Sequence, residues 1–330
     1  MLKRQVKHFI KNWIPYGLID KHTESVQTII DTTGIAPVVY NETGEPMQFF
    51  YLQDNVSTHN PYSFGAPGMV SKYIIWDRYN SGLPIHFYSH DEVFRSKKNV
   101  VKKFGIFLES ESIVPGYYEQ LLEEKSIAKE YIGIFTHSER VLNQYENAYF
   151  APGGSVWYGT LVCGGKLRED AYELKNKNVS LVSSNKTMCK LHQYRKDLAM
   201  YYKTNGLVDT FGTFDGGKNI QIADSLTDYR YSIVIENMIT SYFFTEKLMN
   251  CFASMTVPIY IGASKVGEFF NEDGIIRINP IDFGELDHII NKCGVEDYKE
   301  RQAAIIDNYH RVLSYQCYED YLYYNYKELF

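Results

Sequence analysis

Apolar and polar positions alternate along the chain in two successive series of short β-prone stretches. In the first half these are Ala36–Tyr40, Tyr73–Trp76, Lys103–Leu108 and Tyr131–Phe135, with a helical pattern over Tyr117–Ala128. A second series follows, with strands predicted at Val179–Ser183, Leu207–Phe211, Ser232–Ile235, Val257–Ile261 and Ile275–Ile278. A helix is predicted over Thr187–Asn205, and the chain is helical in character from Tyr298 onward. Strands alternating with helices predict an α/β protein with largely parallel sheets. Between the series, residues 151–175 carry Pro152-Gly153-Gly154, Gly159 and Gly164-Gly165, a composition suited to a junction. A chain of 330 residues also exceeds the usual size of one hydrophobic core. Two Rossmann-like domains, residues 1–160 and 161–330, are therefore expected to face a central cleft. Such sheets receive ligands at the carboxyl ends of their strands.

The first fourteen residues place Leu2, Val6, Phe9, Ile10 and Trp13 near one helical stripe, with Lys3, Arg4, Lys7 and Lys11 around the rest. Pro15 and Gly17 end the pattern. Two readings stand side by side. One is a basic helix lying in a membrane interface, which would make residues 1–16 a peripheral membrane contact. The other is a terminal helix docked on its own domain with a solvated basic side.

Composition narrows the function classes. The net charge of −6 argues against a nucleic-acid footprint, which normally shows a basic excess. Five cysteines, Cys163, Cys189, Cys251, Cys293 and Cys317, are scattered without a Cys-x-x-Cys pair, so neither a disulfide framework nor a zinc site is expected. No apolar run approaches the roughly 20 residues that span a bilayer. Lys7, His8, Lys11 and Asn12 interrupt any signal-peptide core. A cytoplasmic protein is expected, peripheral at the inner face of the membrane if residues 1–16 bind there. Tyrosine is abundant, 29 residues against 3 Trp, which suits both sugar-contacting surfaces and ordinary half-buried packing.

The segment richest in chemistry is Tyr229–Gly262. A strand over Ser232–Ile235 ends in Glu236-Asn237, a polar and aromatic loop follows, and Thr245 stands where a helix N-cap belongs. Leu248, Cys251, Phe252 and Met255 fall at i, i+3, i+4 and i+7 and give that helix one apolar face. Its first turn carries Glu246 and Lys247. A helix N-terminus offers free N–H groups and partial positive charge, so a lysine there opposes the dipole unless an anion occupies the site. From spacing alone, a capped helix with a solvated Glu-Lys pair serves as well.

The string resembles the donor-site signature of the α-1,3/4-fucosyltransferases. The matching pieces are Tyr229-Arg230-Tyr231, Ile235-Glu236-Asn237, Phe244-Thr245-Glu246-Lys247 and Thr256-Val257-Pro258-Ile259-Tyr260-Ile261-Gly262. The strict match covers about 35 positions; looser similarity extends over much of residues 104–280, and the first hundred residues show none. The resemblance implies a GT-B fold with GDP-sugar bound in the C-terminal domain and a terminal helix that crosses back to the first. It implies Asn237, Glu246 and Lys247 at the donor, with Glu246 on the ribose and Lys247 on the pyrophosphate. Arg195 resembles the family's second pyrophosphate cation. Phe243 stands where the family often has Tyr, which removes a hydroxyl from the donor site. Gly212, Gly216 and Gly217 resemble the family's glycine-bearing loop after a strand.

On the acceptor side, Phe107-Leu108-Glu109-Ser110 resembles the family motif whose Glu is the proposed general base. Glu109 is the expected base, with Glu111 as its substitute; on the same side His137 could bind substrate or bond locally in its turn, and Trp157 could stack on a sugar or pack between the domains. The resemblance thus implies an inverting transfer of fucose from GDP-fucose to a hydroxyl of a glycan acceptor, in surface polysaccharide synthesis. The departing nucleotide would be stabilised by Arg195, Lys247 and the helix N-terminus. No cofactor or divalent metal is expected, and the sequence contains no Asp-x-Asp. Two alternatives remain: the same fold with another nucleotide sugar, and a non-catalytic glycan-binding protein.

Overall fold

A computed structural model describes residues 33–55, 62–96 and 99–330; the basic segment 1–16 lies outside them. Two parallel sheets follow one another along the chain. The first is built from β1 (Gln48–Gln53), β2 (Ile74–Asp77), β3 (Ile85–Ser89), β4 (Lys102–Phe107), β5 (Gly133–Thr136) and β6 (Ala148–Phe150). Helices α1 (Pro115–Glu123), α2 (Lys125–Ala128) and α3 (Glu139–Gln144) connect its later strands. The second sheet comprises β7 (Lys177–Val182), β8 (Asp209–Phe211), β9 (Tyr229–Ile235), β10 (Val257–Ile261) and β11 (Ile276–Arg277). Its helices are α4 (Lys190–Asn205), after β7, and α5 (Glu246–Ala253), between β9 and β10. The chain closes with α6 (Phe283–Ile290), α7 (Val295–Glu300), α8 (Gln302–Val312) and α9 (Tyr318–Tyr326).

The strand orders, β2-β1-β3-β4-β5-β6 and β11-β10-β9-β7-β8, share one topology. In each, the order reverses beside the first strand: between β1 and β3, and between β7 and β9. Doubly wound sheets open a crevice at the carboxyl ends of the strands at such a switch point. Strands in the interior of such sheets are apolar because both faces are covered by other elements. Every residue of β5 and β10 is buried. Pro258 is tolerated in β10 because β11 pairs only with Ile259 and Tyr260, leaving the stretch around Pro258 uncovered on that side.

The predicted strands at Tyr73–Trp76, Lys103–Leu108 and Tyr131–Phe135 appear within a residue or two as β2, β4 and β5. The stretch Ala36–Tyr40 is not a strand; Tyr40 makes an isolated bridge to Pro46, and the chain enters the sheet at Gln48 instead. Strand β3 escaped the apolar pattern because His86 interrupts it. That histidine is buried, its ring nitrogens 2.8 Å from the Tyr88 hydroxyl and 2.8 Å from the Leu83 carbonyl. The helix predicted over Tyr117–Ala128 is split at Glu124 into α1 and α2. Helix α4 starts three residues later than predicted and ends at Gly206, whose φ of 72° forms a left-handed cap bonded to Tyr202.

Helix α9 packs on the first sheet although it follows the second. Tyr323 stacks on Tyr73 at 4.2 Å, and Phe330 sits among Phe50, Phe87, Phe104 and Phe135. One of three apolar clusters of the described residues therefore bridges the two sheets, reaching Val234 of β9 and Tyr260 of β10 from the first sheet. Among the described residues, no helix is long and apolar enough to cross a membrane.

Candidate functional site

The switch point of the second sheet gathers charge. Strand β9 delivers Glu236 and Asn237 to its carboxyl end, α5 begins directly opposite, and α4 lies over β7 with Arg195 facing inward. Thr245 caps α5 by accepting from the Lys247 N–H at 3.3 Å. Its own N–H and hydroxyl donate to the Glu236 carboxylate at 2.9 and 2.8 Å. Glu236 is fully buried, and burial raises its pKa against the opposing pull of Lys247. The Lys247 ammonium lies 3.5 Å from Glu236 and 3.1 Å from Glu246. Burial acts to lower the Lys247 pKa, but these two carboxylates outweigh it and the net shift is upward. Glu246 is held below the usual carboxylate range, because Lys247 outweighs its burial.

Arg195 is buried, donates through Nη1 to the Ile235 carbonyl at 2.7 Å, and leaves Nε without a partner. It forms no salt bridge among the described residues, yet it feels the charges of Glu236 and Glu246. Lys247 is thus paired with both carboxylates, while Arg195 bonds to neither and lies within reach of their charge. Asn237 is tied from both sides. His192, one turn before Arg195 on α4, places Nε2 2.8 Å from Asn237 Oδ1. Ser112, from the first sheet's side, donates to the Asn237 carbonyl at 3.1 Å.

That last bond joins the two halves of the site. Ser112 lies in the segment that leaves β4, three residues after Glu109. Glu109 is half-buried and its backbone is gripped at both ends. Its N–H donates to His90 Nε2 at 3.1 Å, and its carbonyl accepts from the Tyr118 hydroxyl at 2.6 Å, with His137 Nε2 at 3.2 Å. Ser110 donates its N–H to Glu109 Oε1 at 2.8 Å. His90 adopts a φ of 51°, a left-handed backbone that costs a non-glycine residue roughly 1–2 kcal/mol. His137 is buried and its pKa falls to about 4 for that reason, so it stands neutral.

Other expected residues are placed differently. Phe243 is fully buried and packs edge-on against the His137 ring at 4.5 Å, so it wedges the two domains together instead of lining a nucleotide site. Glu111 is already engaged: it accepts from Ser138 at 2.5 Å and from Arg140 Nε at 2.9 Å. That leaves it poorly suited to substitute for Glu109. Trp157 is half-buried, and its N–H, like that of Tyr158, donates to the Asn250 side chain of α5, at 2.7 and 2.8 Å. Gly212 follows β8 with φ of 102°, and a Cβ there would lie 2.2 Å from the Ser183 carbonyl. Gly216 has φ of 86°, and a Cβ on Gly217 would meet the Gly212 carbonyl at 2.6 Å. This turn closes against the end of β7, and only glycine fits at Gly212.

Sequence reasoning did not single out Glu236, His90 or His192. Glu236 was visible inside the matching string but carried no assigned role. His192 was detectable as the residue one helical turn before Arg195. His90 is signalled only by standing at a strand end, in Ser89-His90-Asp91.

Comparison with known proteins adds to this geometry. Residues 172–299 match the family model described as glycosyltransferase family 10 (fucosyltransferase) C-term. The chain is similar to a solved α1,3-fucosyltransferase, at 14% identity over 83% of this chain and 84% of that one, with a TM-score of 0.48. It is similar to sucrose-phosphate synthase from Thermosynechococcus elongatus at 13% identity over 76% of this chain and 74% of that one, with a TM-score of 0.50. No curated protein matches the sequence. Residues 172–299 are thus similar to the C-terminal part of glycosyltransferase family 10, the fucosyltransferases, and the fold of two parallel sheets is similar to that of sucrose-phosphate synthase.

Proposed function

We propose that the protein transfers fucose from GDP-fucose to a hydroxyl of a glycan acceptor, with inversion and without a divalent metal. The observation that carries this reading is the gathering of Arg195, bonded to the Ile235 carbonyl, and Lys247, paired with Glu236 and Glu246, at the β7–β9 switch point, with Asn237 bonded across to Ser112. The cations supply the positive charge that a sugar nucleotide's diphosphate requires, and Glu246 offers a carboxylate to its ribose diol.

Glu109 takes the proton of the acceptor hydroxyl as that oxygen attacks the anomeric carbon from the face opposite the nucleotide. The new carbon–oxygen bond forms while the bond to the β-phosphate breaks, and the electron pair leaves with GDP. Arg195, Lys247 and the opening turn of α5 stabilise the growing negative charge. The backbone grip of His90, Tyr118 and His137 holds Glu109 in place for this step.

Thermal shift with GDP-fucose, GDP-mannose and UDP-sugars tests the donor, and stabilisation by UDP-sugars alone would refute GDP-fucose. Glu109→Gln should bind the donor normally while losing at least about a hundredfold in turnover, the usual scale of general-base catalysis. A variant that kept full turnover on a glycan array would remove Glu109 as base.

A further inference from the structure

His192 stands among cations in a place where a histidine is unexpected. It is buried, as is Arg195 one helical turn away. Since Asn237 Oδ1 only accepts, the nitrogen 2.8 Å from it, Nε2, carries the proton in the neutral ring. The other nitrogen, Nδ1, then holds a lone pair, is buried, and has no donor. Arg195 Nε, on the same face of α4 one turn later, is also buried without a partner. Two unpartnered polar atoms on one helical turn, one awaiting an acceptor and the other a proton, describe a site completed by something polar from outside.

We propose that His192 takes up a proton when the sugar nucleotide's diphosphate binds, so that Nδ1 becomes a third cationic donor beside Arg195 and Lys247. This rests on the donor reading of the site given above. The groups facing His192 are Arg195 on its own helix, Lys186 from the segment between β7 and α4, Lys247 from α5, and neutral Asn237 after β9. Burial first, and then Arg195, with the two lysines adding, holds its pKa below the ordinary imidazole value, while the Asn237 bond opposes. The free protein therefore keeps His192 neutral near pH 7. A diphosphate reverses the local balance of charge and favours the imidazolium. The sign follows: between the two pKa values the complex binds more protons than the free protein. Affinity rises as pH falls through the complex's pKa and levels off below that of the free protein.

The probe is GDP-fucose without acceptor, whose phosphates do not titrate near neutrality. Calorimetry in two buffers of different ionisation enthalpy should show proton uptake, and binding about three- to tenfold tighter near pH 5.5 than near pH 8, one proton's worth of linkage. His192→Gln keeps a donor for Asn237 but cannot titrate. Its affinity should match the wild type near pH 8 and lack the gain in acid, with proton uptake abolished. Uptake that persists in the variant would assign the proton to Glu236 and overturn the proposal. Binding by the wild type with no uptake would overturn it without any variant. Failure of GDP-fucose to bind the wild type at any pH would instead sink the donor reading itself.

Discussion

Arg195 and Lys247 occupy one neighbourhood but are held in different ways. Lys247 is paired with two carboxylates, whereas Arg195 is fastened only to a backbone carbonyl and keeps a nitrogen unsatisfied. A planar guanidinium can keep its bond to Ile235 and still present a second N–H to a phosphate; a lysine offers one ammonium for both tasks. Arg195→Lys should accordingly raise the donor KM by about tenfold or more, the scale of one charge-assisted hydrogen bond. Initial-rate kinetics with varied donor would test this, and constants within twofold of wild type would place the guanidinium off the diphosphate. The residues readable in the sequence were those in a contiguous string: Asn237, Glu246 and Lys247 share one strand–loop–helix unit. Glu236 lies in the same string, but its importance comes from complete burial, which no spacing reveals. His90 and Tyr118 act on Glu109 through folded backbone, so their partnership exists only once β3, β4 and α1 are assembled.

At the scale of the element, strands and helices with an unbroken apolar period were legible, including every strand of the second sheet. Strand β3, which carries His86 in its buried run, was not, because hydrogen bonding inside the fold makes that polar side chain compatible with the core. Lys175 is another such residue. It sits just before β7 and ties the starts of three strands together, donating to the Leu226 and Thr227 carbonyls at 2.8 and 3.1 Å and to the Thr256 hydroxyl at 3.0 Å. No carboxylate pairs with it among the described residues, and burial lowers its pKa from 10.5 to about 7. Between these values the unfolded chain binds more protons than the folded one, so this lysine makes stability increase with pH above about 7. Lys175→Met should lose that increase. The stability difference, variant minus wild type, should shift against the variant from about pH 7 to about pH 9 when followed by urea denaturation. A pH-independent difference would mean that the ammonium is not desolvated.

The whole molecule is held in one piece by the return of α9 to the first sheet, and Glu319 is where that return is fixed. Its carboxylate is fully buried and accepts from the Ser63 hydroxyl at 2.5 Å, the Phe64 N–H at 2.8 Å and the Trp76 indole at 2.8 Å. Cys317 adds its thiol at 3.2 Å. All of these partners are neutral, so hydrogen bonds compensate the buried carboxylate without an opposing charge. Burial raises its pKa above 4.5 despite them. The folded state therefore binds this proton more tightly than the unfolded chain, and the stability it contributes is present in acid and lost as pH rises through the folded pKa. Two substitutions separate charge from shape. Glu319→Ala leaves four buried donors, the Cys317 thiol a weak one, without an acceptor and should cost several kcal/mol at any pH, at about 1–3 kcal/mol for each unsatisfied group. Glu319→Gln keeps an acceptor and removes the charge, so its thermal stability relative to wild type should improve steadily as pH climbs from about 4.5 toward neutrality. This return of α9 holds the first sheet, which carries Glu109, together with the second, which carries Arg195 and Lys247. The alanine variant should therefore lose transfer activity at temperatures where GDP-fucose still protects the second domain from proteolysis. Loss of both together would show instead that the domains unfold as a single cooperative unit.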